Sequence, residues 1–221
     1  RFSYPFNSEF PNSVSFSGIQ ASLLIAYASD KNIIILAEGK YIHEILTGHK
    51  HRICTVTFEC NEPHIISCDV EGNCFFWFYL DNTWNNTMVV KLNTRVTCMS
   101  WHNNKRKICY SSAEGLFMNN VSTFENKDLR IKLYKKSCFC KFNYNGSLLA
   151  SHNKDITLTI FFIGKKNLFQ VIQHPEKIEL FDFHPKKQEF LTITENNILR
   201  IWVLSNFSNF VCTSAVKVPY H

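Results

Sequence analysis

A period of about 42 residues runs through this chain, and it constrains the fold more than any single motif, because a repeat of that length is one supersecondary unit stacked on its neighbours. The aromatic residues Phe16, Phe58, Trp101, Phe142 and Phe183 are spaced by 42, 43, 41 and 41 positions, each within a strand-like run: SVSFS, CTVTFE, TCMSWH, CFCKFN and ELFDFH. A second, independent anchor is the polar residue of a predicted turn. Asp30, Glu71, Glu114, Asp155 and Asn196 are spaced by 41, 43, 41 and 41.

Between the anchors lie further β-branched and aromatic runs, which favour strand over helix. The second runs read LLIAYA, HIISC, KICYSS, SLLAS and EFLTIT, and the third NIIIL, NCFFW, LFMNN, ITLTIF and ILRIW. Weaker fourth strands follow as YIHEIL, TMVVKL, LRIKLY and FQVIQ, with 209–218 supplying the last and Phe2 to Phe10 a further outer strand. The prediction is an all-β chain of five units with four short antiparallel strands each, approximately 12–48, 49–92, 93–134, 135–173 and 174–216, within one domain over 1–221.

The best-formed unit, Gly48 to Trp77, carries a Gly48-His49 pair, an acidic turn residue at Glu71 and Trp77 six positions later. It resembles a WD40 repeat, one blade of a β-propeller. The fifth unit, with His184-Pro185 and Trp202, is similar; the third has Asn120 where the family prefers Trp, and no unit has the Trp-Asp dipeptide. The resemblance implies a propeller of WD40 type, and since such rings most often have seven blades, five visible units imply a portion of a larger ring, completed by more of the same chain or by a partner. It also implies a buried hydrogen-bonded frame built from His49, Glu71 and Trp77, with Trp202 its counterpart in the fifth unit and Asp69 at the place of the family's hydroxyl.

With 45% hydrophobic residues the chain can bury a core, and no apolar run approaches the ~18 to 20 residues of a membrane-spanning helix. The chain begins at Arg1 without a signal-peptide pattern, which reads as a fragment or a processed chain. Nine cysteines, mostly inside apolar runs, suit buried thiols in a reducing, intracellular setting, cytoplasm or nucleus, rather than a disulfide framework. His49, His51, Cys54, Cys60, His64, Cys68 and Cys74 form the densest metal-like cluster, but lack the Cys-x2-4-Cys spacing of zinc sites. No nucleophile elbow, metalloprotease or phosphate-loop fingerprint is present, so no enzyme, cofactor or small-molecule substrate is expected.

One pattern lies outside what the fold demands. Six residues before the aromatic anchor of four successive units stands a base: Arg52, Arg95, Lys136 and Lys177. Lys50, His51, Lys135 and His174 lie close by, and the formal net charge is +6. The family's loops at the channel mouth commonly bind partners, so these residues mark a candidate face for an acidic or phosphorylated protein, or alternatively for RNA. The expected function is a non-enzymatic interaction scaffold within a multiprotein complex.

Overall fold

The computed structural model describes residues 14–19, 22–37, 41–58, 63–92, 94–102, 107–120, 131–134, 137–165, 168–205 and 209–219, and every regular element among them is a strand. The chain forms two compact units, Arg1–Lys136 and Ser137–His221. Residues Phe2 to Phe10 fall outside the described residues.

The described residues of the first unit form three antiparallel sheets. The first comprises β1 (Val14–Ile19), β2 (Ser22–Ser29), β3 (Asn32–Ala37) and β4 (Tyr41–Thr47). The second comprises β5 (Ile53–Phe58), β6 (His64–Asp69), β7 (Asn73–Leu80) and β8 (Thr83–Lys91), and the third β9 (Val96–His102), β10 (Lys107–Ser112), β11 (Gly115–Asn120) and β12 (Ile131–Tyr134). In the second unit β13 (Phe139–Phe142), β14 (Leu148–His152), β15 (Thr157–Phe162) and β16 (Phe169–Gln173) form one sheet, and β17 (Ile178–Phe183), β18 (Glu189–Thr194), β19 (Ile198–Ser205) and β20 (Asn209–Lys217) the other. In every sheet the strands pair in chain order, so each period of the sequence is one meander.

Strand pleating sends alternate side chains to opposite faces, and the cores form where two sheets meet. Ala26, Ala28, Ile33 and Ile35 pack with Ile53, Val56, Ile65 and Trp77. Across the other face of the second sheet, Cys54, Ile66, Cys68 and Cys74 meet Val96, Met99, Trp101, Tyr110 and Phe117. In the second unit Leu148, Leu158 and Ile160 pack with Phe181, Phe183 and Phe190. The second strand shows how fully a sheet is covered: β6 is buried on both faces from Ile65 to Asp69, whereas β18 alternates buried and half-buried positions.

Candidate interaction surface and its hydrogen-bonded frame

In β5–β8 a chain of polar contacts ties loop, strands and turn together. Trp77 Nε1–H donates to Ser67 Oγ at 2.8 Å, and Ser67 Oγ lies 2.6 Å from His49 Nε2. Indole N–H can only donate, so the hydroxyl accepts from Trp77 and spends its own proton on Nε2. The other ring nitrogen, Nδ1, then carries the hydrogen and donates to Asp69 Oδ2 at 3.2 Å. Asp69 Oδ1 also accepts the backbone N–H groups of Glu71 and Asn73, at 3.0 and 2.9 Å, closing the turn between β6 and β7. All four side chains are buried.

Burial pushes the His49 imidazole below its ordinary pKa, outweighing the Asp69 hydrogen bond and charge that favour the cation. Burial also works against the Asp69 charge, but hydrogen bonds from Asn73 and His49 prevail and hold the carboxyl below its usual value. The result is neutral His49 beside ionised Asp69.

Two glycines make the frame sterically feasible. A Cβ at Gly48 would stand 3.0 Å from Trp77 Cη2, so the Gly-His pair lets the indole lie against the backbone. Gly72 has φ +81° and a Cβ there would meet the Leu92 carbonyl oxygen at 2.2 Å, which excludes any larger residue.

The acid in this frame differs from the sequence expectation. Glu71 is exposed, and its side chain is not the one that meets His49. Asp69 takes that role because it ends β6, where its short carboxylate can cap the turn and reach back to the ring. The hydroxyl is Ser67, two residues before Asp69.

The same frame recurs in β17–β20, at the same spacing. Trp202 Nε1–H donates to Thr192 Oγ1 at 3.0 Å, and His174 Nε2 lies 2.9 Å from that oxygen. His174 precedes Thr192 by 18 positions and Trp202 by 28, as His49 precedes Ser67 and Trp77. At the position of Asp69 stands Thr194, and at that of Phe75, whose ring packs 4.5 Å from His49, stands Arg200. Arg200 Nη2 pairs with Glu176 Oε2 at 3.0 Å, while His174 Nδ1 is buried without a hydrogen-bond partner among the described residues. Burial first, then the Arg200 charge, lowers the His174 pKa to about 4. Sequence reading placed His174 in a positive field; the structure buries it as a neutral ring. The repeated spacings of 18 and 10 were the available signal.

Arg52 and Arg95 immediately precede β5 and β9, the first strands of neighbouring sheets, and Cys54 Sγ lies 3.1 Å from the Val96 carbonyl, so the two lead-ins stand at the same end. Arg52 is half-buried and Arg95 exposed, and Lys50 and His51 project from the loop ahead of β5. Lys177 holds the equivalent place ahead of β17: its carbonyl accepts Glu195 N–H at 2.9 Å, just as the Arg52 carbonyl accepts Val70 N–H at 2.9 Å. Its ammonium lies 3.5 Å from Glu179 in an exposed pair, worth a fraction of a kcal/mol at most, about 0–1. Lys135 and Lys136 lie outside the described residues.

Within each unit a turn acid meets the lead-in of the following sheet. Ile53 N–H donates to the Asp30 carbonyl at 2.7 Å, and Ile178 N–H to that of Asp155 at 2.9 Å. Asp30, Glu71, Glu114 and Asp155 are all exposed. An exposed acid therefore stands beside the basic lead-in at Arg52 and another beside that at Lys177, so neither lead-in is purely positive. Among the described residues no group of three or more His, Cys, Asp or Glu is arranged to hold a metal ion, and Cys60 lies outside them. Among the described residues no helix is long and apolar enough to cross a membrane.

Fold and frame together define a repeat protein of four-stranded antiparallel sheets, pinned in two places by a His–hydroxyl–Trp set, fully buried in β5–β8 and with a half-buried Trp in β17–β20. The family model of the WD domain, G-beta repeat, matches residues 39–77, so this stretch, from the end of the first sheet to Trp77 in β7, is similar to a WD40 repeat. Such repeats generally mediate protein–protein interaction and are generally non-enzymatic. No curated protein matches the chain.

Proposed function

We propose that the chain is part of a WD40-type propeller acting as a non-enzymatic interaction scaffold, and that the loops ahead of the first strands form its binding face. The observation that carries this reading is the convergence, at one end of β5 and β9, of Lys50, His51, Arg52 and Arg95, charged or titratable side chains that the buried frame does not use. Function resides in such loops when a rigid frame holds them. The partner offers carboxylate or phosphate groups to Arg52 and Arg95 and basic groups to the neighbouring turn acids. Interleaved charge of this kind suits a protein surface better than the uniform polyanion of RNA.

Support for further blades comes from β17–β20. Leu191, Ile193, Leu199 and Ile201 stand three periods beyond Ile66, Cys68, Cys74 and Phe76, residues of the second sheet that face β9–β12. Leu180, Ile201 and Val216 are exposed at 54%, 38% and 60%, an apolar surface that a further four-stranded blade of the same repeat would cover.

The test is affinity purification of the wild type beside the double variant Arg52→Glu, Arg95→Glu, at low salt and with nuclease. A defined set of proteins that survives nuclease and is lost at least tenfold in the variant supports the reading. An unchanged set in the variant overturns the assigned face, and a set lost to nuclease with a steep salt dependence overturns the protein partner in favour of RNA.

A further inference from the structure

Three thiols meet inside the second sheet, on the face that packs against β9–β12. Cys68 and Cys74 are directly opposite one another across β6 and β7, and their sulfurs are 3.0 Å apart. Cys54, on β5, lies beside them with its Sγ 3.2 Å from the Cys68 carbonyl oxygen. All three are fully buried, and no disulfide joins any of them. Buried cysteines usually serve as small hydrophobes, an account that fits Cys54, whose thiol reaches two backbone carbonyls and also the Cys68 side chain. It does not account for two sulfurs in contact across a strand pair.

Directly opposed residues of an antiparallel pair have Cα atoms about 4.5–5.5 Å apart, inside the range of about 4.4–6.8 Å that a disulfide spans. The backbone therefore needs no rearrangement for the two sulfurs to bond. Between the two cysteines runs the turn Asp69–Asn73, with Gly72 as its left-handed residue and Asp69 as the acid that meets His49.

We propose that Cys68 and Cys74 are a site of reversible oxidation, closing a cross-strand disulfide that clips the turn holding Asp69 against His49. With a peroxide as oxidant, one sulfur attacks the O–O bond and becomes a sulfenic acid with release of water. The second sulfur displaces the sulfenic oxygen as a second water and the S–S bond forms. Two thiols lose two electrons and two protons in total, and the peroxide is reduced to two waters. A dithiol reductant reverses the step by exchange.

Burial raises the Cys68 thiol well above its usual pKa, and thiolate is the reactive form, so the step proceeds through transient opening of the β6–β7 hairpin. The site is slow in the closed sheet and faster wherever the sheet loosens. It thus differs from the exposed Cys212, which oxidises without opening.

The experiment treats the whole chain with hydrogen peroxide, with and without subdenaturing urea, then alkylates it under denaturing conditions and maps the peptides by mass spectrometry. The expected result is a Cys68–Cys74 cross-link lacking two hydrogens, restored by dithiothreitol, formed faster in urea and still formed in Cys54→Ser. In Cys74→Ser, or in Cys74→Val if serine disturbs the core, Cys68 is instead alkylated. Full alkylation of Cys68 and Cys74 after Cys212 is completely oxidised, in both urea conditions, overturns the proposal. So does a wild-type cross-link that joins Cys68 to Cys54.

Discussion

The sheets β5–β8 and β17–β20 set their His, hydroxyl and Trp at the same spacing, yet only the first completes the set with a carboxylate. His49 gives its Nδ1 proton to Asp69, which is also the cap of the following turn. His174 has Thr194 at that position, an Arg200–Glu176 pair nearby, and an Nδ1 without a partner among the described residues. Trp77 is 1% exposed against Gly48, whereas Trp202 is half-buried and lies parallel to Phe190 at 5.9 Å. The difference shows that the His–hydroxyl–Trp contact survives as a packing device without the acid, while the acid adds a link from ring to turn.

The largest effect that would sharpen the comparison is removal of each Trp. Trp77→Ala is expected to cost about 4 kcal/mol, since it empties a fully buried site and leaves Ser67 one partner short, and Trp202→Ala about half as much. Urea unfolding of the two variants measures both, and equal losses would break the expectation that the more deeply buried Trp77 anchors its sheet more strongly.

Acid titration comes next. His174 and His152 both have pKa values lowered to about 4, burial being the first cause in each. Below about pH 6.5 the unfolded chain takes up protons that the folded chain refuses until near pH 4, so stability falls as pH drops through that window. The loss for His174 is roughly 3 kcal/mol at the low end. His174→Gln is expected to be less stable at pH 7 but to show a shallower decline between pH 6.5 and 4. An unaltered slope would mean that His174 is not a proton-refusing group.

The smallest effect is also the most specific. Thr194→Asp restores a carboxylate where β5–β8 has Asp69 and is expected to raise the His174 pKa by about 1–2 units, read by NMR of the ring protons. A value still near 4 would show that Arg200 and burial, rather than the missing acid, set the ring's charge.

Much of this was legible in the chain itself. The five meanders follow from the period, because strand pleating and short turns leave few other ways to bury aromatic runs repeated every 41 to 43 residues. His49 and Trp77 were legible through the Gly-His pair and the Trp. Asp69 was not, since both Asp69 and Glu71 border the turn and only the fold shows which carboxylate points inward. The local context of His174, a lone His before a Pro, gives no sign of burial, and only its spacing to Thr192 and Trp202 marks it. The meeting of a basic lead-in with a turn acid was hidden for another reason: Asp30 is more than twenty residues from Arg52, and only the bond between the Ile53 N–H and the Asp30 carbonyl brings them to one end.

Taken alone, the sequence determined the repeat length, the strand content and the residue types able to build each sheet, because these depend on local pattern and on which side chains prefer a pleated, half-buried surface. Tertiary structure alone decided which acid caps His49, which His loses its charge to burial, and that Cys68 and Cys74 face each other across a strand pair. Those outcomes depend on distances of a few ångströms between residues far apart in the chain, such as the 3.0 Å between the sulfurs of Cys68 and Cys74.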